Sequence, residues 1–263
     1  MSRWRLDLEY DGTLFAGWQA QGSLRTIQAA VEAAATRIFN EPVRVSAAGR
    51  TDTGVHAEHQ VASFLADTVR TRRAVVLGMN AVLPSDVSVV DASQVPDAFD
   101  PRRSLHGKRY RYRWLTRLGA SPLRRDRAWH GSPPLNSDAM AEAITAVRGQ
   151  HDFSSFRAAG CQAATAVRTV QGARVLVVGD EIQLVMEGTG FLRNMIRIVA
   201  GSLTEIGRGA KPTDWLATLL HTRDRGQAGP TAPPHGLTLE RIWYAGEPDA
   251  PRWAGFREVS SEE

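Results

Sequence analysis

Apolar and polar positions alternate from the start of the chain. Trp4, Leu6 and Leu8 interleave with charged neighbours, a period of two that predicts a strand over 3–10. The Asp11-Gly12 turn leads to Ile27, Val31, Ala34 and Ile38, which recur at helical spacing and predict a helix over 24–39. Two β-rich stretches follow, near 43–48 and 60–66, on either side of a polar loop from Gly49 to His59. A helix over 71–82 has Thr71 as its N-cap, and a strand near 87–91 closes this first run.

The pattern then repeats. A long alternating strand over 104–116 precedes a basic, Pro-containing loop and a helix near 137–149. Strands over 168–178 and 181–187 flank the tight Gly179-Asp180 turn, a hairpin signal. A helix over 190–207, with Phe191, Met195, Ile198 and Leu203 on its core face, and a shorter helix over 212–221 lead to a last strand over 237–245. Two successive βαββαβ units predict an α+β protein. Its two tandem ferredoxin-like or RRM-like halves, residues 1–102 and 103–246, share a central, mostly antiparallel sheet. Residues 247–263, rich in Pro, Ala and terminal acids, read as a flexible tail.

Composition narrows the class. With 263 residues, 43% hydrophobic and 23% charged, the chain has the balance of a soluble globular protein, and no apolar run approaches a membrane span. A single cysteine, Cys161, excludes an internal disulfide and a Cys-based zinc cluster, so a reducing, cytoplasmic setting is expected.

The net charge of +4 hides a concentration. Residues 102–127 hold ten basic side chains against Asp126 alone, which leaves the rest of the chain net acidic. Such a stretch points to a polyanionic partner, nucleic acid first, with Arg124, Arg125 and Arg127 as candidate phosphate contacts. Within it, Tyr110, Tyr112 and Trp114 alternate with Arg109, Arg111 and Arg113. One face of the strand is therefore aromatic and the other cationic.

The densest polar feature is the loop from Ala48 to Ala57, in which Arg50 and Asp52 lie between Gly49 and Gly54. An arginine two residues before a carboxylate can hold it ionised. Asp52, His56, Glu58 and His59 raise a metal site as an alternative. Their spacing is not HExxH, and strand alternation would part the side chains, so no metal is expected. Nucleotide-loop and serine-elbow motifs are absent: Gly188-Thr189-Gly190 opens a helix but lacks the third glycine of a dinucleotide loop. Arg197 sits in an apolar turn of the 190–207 helix and needs either a route to solvent or a carboxylate. Asp52 is the attractive partner.

These segments together resemble the tRNA pseudouridine synthase A family. The matching motifs are LEYDGTLFAGWQ (8–19), AGRTDTGVHA (48–57), KRYRY (108–112), HDFSSFR (151–157), GFLRNMIRIVAGSL (190–203) and GPTAPPHGLTL (229–239), in family order. The resemblance implies a homodimer of two tandem RNP-like halves that isomerises uridine to pseudouridine at positions 38, 39 and 40 of the tRNA anticodon stem-loop, without cofactor or metal. It further implies Asp52 as the catalytic carboxylate and Arg50 as the residue that helps extrude the uridine. Tyr110 would stack on the uracil, Arg197 would pair with Asp52, and Leu237 would form an apolar wall of the pocket. The rival expectation is a non-catalytic RNA-binding protein of two RRM-like halves, which would have no use for the charge of Asp52.

Overall fold

The computed structural model describes residues 1–130 and 134–247. Among the described residues ten strands form one sheet, with helices α1 (Ile27–Phe39), α2 (Arg72–Asn80), α3 (Ser137–Ile144), α4 (Met195–Gly207) and α5 (Trp215–Thr222). The strands are β1 (Ser2–Tyr10), β2 (Ser46–Ala47), β3 (His56–Ala66), β4 (Val87–Val95), β5 (Leu105–Leu115), β6 (Trp129–His130), β7 (Gly149–Asp152), β8 (Val167–Val178), β9 (Glu181–Gly188) and β10 (Leu237–Tyr244). Their order is β4-β1-β3-β10-β5-β9-β8-β7, with β2 beside β3 and β6 beside β5. Pairing is antiparallel except at β3–β10 and β5–β6. The protein is thus mixed α and β on a mostly antiparallel sheet.

Alternation decides which face each strand buries. Trp4, Leu6, Leu8 and Tyr10 of β1 are sealed in the core, where Trp4 meets Phe39 of α1 edge-on and Phe39 meets Phe64 of β3. Across the sheet, Tyr112 and Trp114 of β5 are buried in the same way, and the Trp114 indole N–H donates to the Thr204 hydroxyl of α4 at 3.0 Å. The alternate positions carry charge and pair across strands. Arg109 meets Glu187 at 2.7 Å, Arg111 meets Glu240 at 2.7 Å and Arg113 meets Glu58 at 3.0 Å. The arginine face of β5 is therefore an ion-pair ladder rather than a free cationic surface.

Several boundaries differ from the sequence reading for local reasons. The 43–48 strand contracts to two residues, and α1 starts at Ile27 because Thr26 caps it by accepting from the Ala29 N–H. The helix expected over 137–149 ends at Ile144, passes through a 3₁₀ turn and gives way to β7, an edge strand that carries no alternation signal. The helix expected from residue 190 begins only at Met195, since Asn194 sits in the left-handed region at φ 60°. Of the expected tail, Glu247 is tied down: it pairs with Arg5 and accepts from the Tyr244 N–H. Residues 248–263 lie outside the described residues.

Candidate active site

The loop between β2 and β3 is held from both sides. Trp18 N–H donates to the Thr51 carbonyl at 3.0 Å, Gln60 Nε2 donates to the Gly49 carbonyl at 3.0 Å, and the Tyr10 and Thr51 hydroxyls share a bond of 2.8 Å. Val55 N–H closes a turn onto the Asp52 carbonyl at 3.1 Å. Two glycines make this path possible. Gly54 has φ +76°, and Gly12 lies so close to the loop that an added Cβ would come within 2.0 Å of the Val55 carbonyl oxygen. No L side chain fits either position without displacing the loop. The YDG segment at 10–12 is thus the floor on which Asp52 is set.

Asp52 is half-buried. Burial pushes its carboxyl above the ordinary aspartate value; the guanidinium groups of Arg197 and Arg193 and the backbone N–H of Asn194 act against that rise without cancelling it. Arg197 assists through space. No ion pair within 4.0 Å joins it to Asp52 among the described residues, which corrects the expectation of a contact pair. Its Nε instead donates to the Ala232 carbonyl at 2.7 Å, and a terminal nitrogen donates to the Asn194 side-chain oxygen at 3.0 Å. The Ala232 N–H returns a bond to the Arg197 carbonyl at 3.0 Å. The 229–236 segment therefore orients the cation, and Tyr112 pins that segment by donating its hydroxyl to the Pro233 carbonyl at 3.0 Å.

Tyr110, 7% exposed, lies on the face of β5 that meets this loop. Burial first, then the neighbouring Tyr10 and Asp52, push its hydroxyl well above the usual tyrosine range, so it stays protonated. Its ring meets Phe191 edge-on at 5.5 Å between centroids. Leu237, at the start of β10, is buried opposite Tyr112 in the β5–β10 register, while Leu239 lies opposite Tyr110. Arg50 is exposed on the loop two residues before Asp52. The structure thus brings Asp52, Arg197 and Tyr110 within electrostatic reach of one another beside the middle of β5, with Leu237 across from Tyr112 on the neighbouring strand.

Arg124, Arg125 and Arg127 lie outside this group, and each already has an acidic partner. Arg124 grips Asp180 at 2.6 Å and Glu181 at 3.0 Å, Arg125 meets Asp126 at 3.0 Å and Arg127 meets Asp11 at 2.8 Å. The residues once grouped as a metal alternative also part ways. His56 faces Asp11, Glu58 pairs with Arg113 and His59 approaches Asp7.

Three contributors escaped the sequence reading: Arg193, Asn194 and Phe191. Phe191 reads as core, yet it is half-buried against Tyr110. The usable signal was Asn194. Asparagine tolerates the left-handed region, and a helix starting after it turns residues 190–194 into a loop that presents Arg193 and the Asn194 N–H to Asp52.

Comparison with known proteins supplies independent support. A sequence profile of the tRNA pseudouridine synthase family matches residues 8–102 and 143–245. The tRNA pseudouridine synthase A of Myxococcus xanthus is 46% identical over 264 residues, covering 100% of both chains. That of Geobacter sulfurreducens is 44% identical over 240 residues, 91% of this chain and 98% of the relative. That of Rhodospirillum rubrum is 42% identical over 256 residues, 97% and 92% of the two. With a family match over most of the chain and a relative matched over its whole length, the chain belongs to the tRNA pseudouridine synthase family, and is an isomerase acting on uridine in tRNA.

Proposed function

We propose that this enzyme converts uridine to pseudouridine at positions 38, 39 and 40 of the tRNA anticodon stem-loop, with Asp52 as the reacting carboxylate. The observation that carries the reading is the setting of Asp52. It is a half-buried acid on a doubly stapled loop, with two guanidinium groups within electrostatic reach and the protonated hydroxyl of Tyr110 beside it. The rearrangement breaks the N1–C1′ bond, turns the uracil and rejoins it through C5. The C5 proton is lost and N1 gains one, so the product is an isomer and no electron acceptor is needed. A base buried in a stem-loop must first leave the stack. Arg50, exposed at the mouth of the loop, fills the vacated place; Tyr110 and Leu237 hold the extruded uracil, and Arg197 keeps Asp52 ionised as it reacts.

The architecture supports the same reading. The orders β4-β1-β3-β2 and β10-β5-β9-β8 repeat one arrangement, that of two tandem ferredoxin-like halves, residues 1–102 and 103–246, joined along β3 and β10. The enzyme works as a cytoplasmic homodimer, in which one tRNA reaches both subunits. Among the described residues no helix is long and apolar enough to cross a membrane. Arg125 and Arg127, the more exposed of the basic trio, contact tRNA phosphates; Arg124 contributes only by giving up its two carboxylates.

The test is incubation of the protein with an anticodon stem-loop RNA carrying uridines at these three positions, in buffer with chelator, followed by detection of pseudouridine. Product from the wild type and none from Asp52→Asn is the expected result. RNA binding without product would leave a non-catalytic RNA-binding protein.

A further inference from the structure

The basic residues of 102–127 divide in space. Those at 103, 109, 111, 113, 117, 124, 125 and 127 each meet a carboxylate. Arg102 and Lys108 do not. Lys108 is only 8% exposed, yet its ammonium donates a single long bond, 3.4 Å, to the Ala48 carbonyl. It lies directly beneath the Asp52 loop, since a Cβ added to Gly49 would come within 2.9 Å of Nζ.

Two further cations complete the group from distant parts of the chain. In the sheet, Lys108 stands opposite Gly188 of β9, which stands opposite Val170 of β8, and this row brings the start of β8 to the same end as the start of β5. There Arg168 is half-buried, and its hydrogen bonds among the described residues go to the carbonyl oxygens of Thr165 at 2.9 Å and Val167 at 2.6 Å. Arg193 is exposed on the 190–194 loop. Its backbone carbonyl is tied to Ala158 N–H at 3.3 Å, and a guanidinium nitrogen lies 3.7 Å from where a Gly160 Cβ would stand. Among the described residues none of Arg102, Lys108, Arg168 and Arg193 has a carboxylate within 4.0 Å.

The Arg168 guanidinium lies 4.0 Å from where a Gly190 Cβ would stand, on the segment that carries Arg193. Electrostatics joins the group: Arg193 acts on Asp52, the Cys161 thiol, Arg157 and Arg102 act on Arg168, and Arg102 acts on Lys108. Burial, reinforced by Arg102, pulls the Lys108 ammonium down to about 8, and burial with like charge lowers Arg168 as well. Cations crowded at a partly dry site raise one another's energy, and an entering anion relieves all of them at once.

We infer that Arg102, Lys108, Arg168 and Arg193 form a cradle for a backbone phosphate flanking the uridine delivered to Asp52. The inference rests on the proposed reaction, because the phosphate is identified by its distance from the reacting nucleotide. It moves the principal grip on the substrate from the 124–127 segment to the rim of the pocket itself. A phosphate held there fixes the register of the strand against Asp52 without reading sequence, which suits an enzyme acting at three adjacent positions.

The test is a cycle between protein and RNA. Anticodon stem-loops are made with a neutral methylphosphonate replacing either the 5′ or the 3′ phosphate of the target uridine. Their dissociation constants are measured with the wild type and with the Arg102→Gln, Arg168→Gln double variant, in which Arg102 is exposed and Arg168 half-buried. The wild type is expected to lose about tenfold in affinity for one of the two modified RNAs, the scale of one charge-assisted contact. The double variant should lose about tenfold or more on unmodified RNA, and less than about threefold further on the modified one, because the partners no longer meet. Its log Kd against log salt should also flatten, by about 0.7 per lost phosphate contact to a single strand.

Wild-type binding within about twofold for both modified RNAs, or losses that simply multiply, overturns the cradle. The wild-type measurement needs no variant, so misfolding cannot mask the answer. Failure of the wild type to form pseudouridine in unmodified RNA would instead refute the proposed reaction, and the binding cycle would still decide whether the cradle holds a phosphate.

Discussion

Asp52 has two opposing requirements: it must be ionised to react and partly dry to hold a base. Its carboxyl is displaced above 3.8, so the folded protein holds that proton more tightly than the unfolded chain does. The stability this group contributes is therefore complete below the unfolded value and is lost as pH rises through the folded one. At neutral pH the Asp52→Asn protein should melt at the same temperature as the wild type or above it, while forming no product. A clearly lower melting temperature would mean that the carboxylate is structural. For turnover, the acid limb of the rate profile should lie above the ordinary aspartate range. Arg197→Ala removes the first of the opposing influences and should move that limb to higher pH as well as slowing the reaction. A limb that stays in place would deny Arg197 its role.

Tyr110 belongs to the same scale. Its hydroxyl is held protonated, so it can donate a hydrogen bond or a proton but cannot serve as a base at neutral pH. Tyr110→Phe should bind the stem-loop like the wild type and turn over more slowly in single-turnover assays. Tyr110→Ala also removes a buried ring packed on Phe191, and should cost about 3–5 kcal/mol of stability in denaturant titration. Equal kinetics in Tyr110→Phe and the wild type would confine the residue to stacking.

At the scale of elements, strands with one buried face were legible because alternation is a direct record of that face: β1 and β5 fall where the pattern puts them, whereas β3, buried along nearly its whole length, starts at His56, four residues before the expected 60–66. What the pattern could not carry was backbone handedness and edge pairing. The left-handed Asn194 moved the start of α4 by a turn and a half, and that shift creates the loop holding Arg193. The two-residue strands β2 and β6 are defined by partners far along the chain, which no local period records. The acidic partners of Arg109, Arg111 and Arg113 come from β9, β10 and β3. Charge density along the sequence therefore overstated charge density in space. The loop carrying Asp52 was legible as polar and glycine-bracketed, but the close approach of Gly12 beneath it was not. Gly12→Ala would drive a methyl into the Val55 carbonyl. It should cost about 1–3 kcal/mol and reduce turnover at saturating RNA, because the loop must shift to admit it. Full turnover at reduced stability would show that Asp52 tolerates displacement.

The whole molecule must hold a stem-loop larger than the pocket, and its remaining exposed cations show how. Arg125 is 74% exposed and among the described residues pairs with the adjacent Asp126, whereas Arg124 is clamped by two carboxylates. Of the trio at the end of the basic segment, Arg125 and Arg127 are thus the pair able to meet phosphates without first breaking a bidentate contact. Replacing both with Ala should weaken binding of all tRNA substrates alike and flatten the salt dependence. Single-turnover chemistry at saturating tRNA should be preserved, because neither residue acts on the Asp52 carboxyl, although Arg127 pairs with Asp11 beside the floor of its loop. Arg124→Ala should change binding less and strand the acids at 180 and 181 instead. In the proposed homodimer these distant cations and the pocket that uses them need not belong to the same subunit. Mixing the Arg125→Ala, Arg127→Ala protein with the Asp52→Asn protein decides the matter. A heterodimer has one subunit with an intact grip and a dead pocket, and another with a weakened grip and a live pocket. If one subunit grips the tRNA while the other modifies it, half of each heterodimer's binding modes are complete. Activity at limiting tRNA should then exceed that of either parent. With heterodimers verified by differential tagging, activity no greater than the parents' mean would assign grip and chemistry to the same subunit.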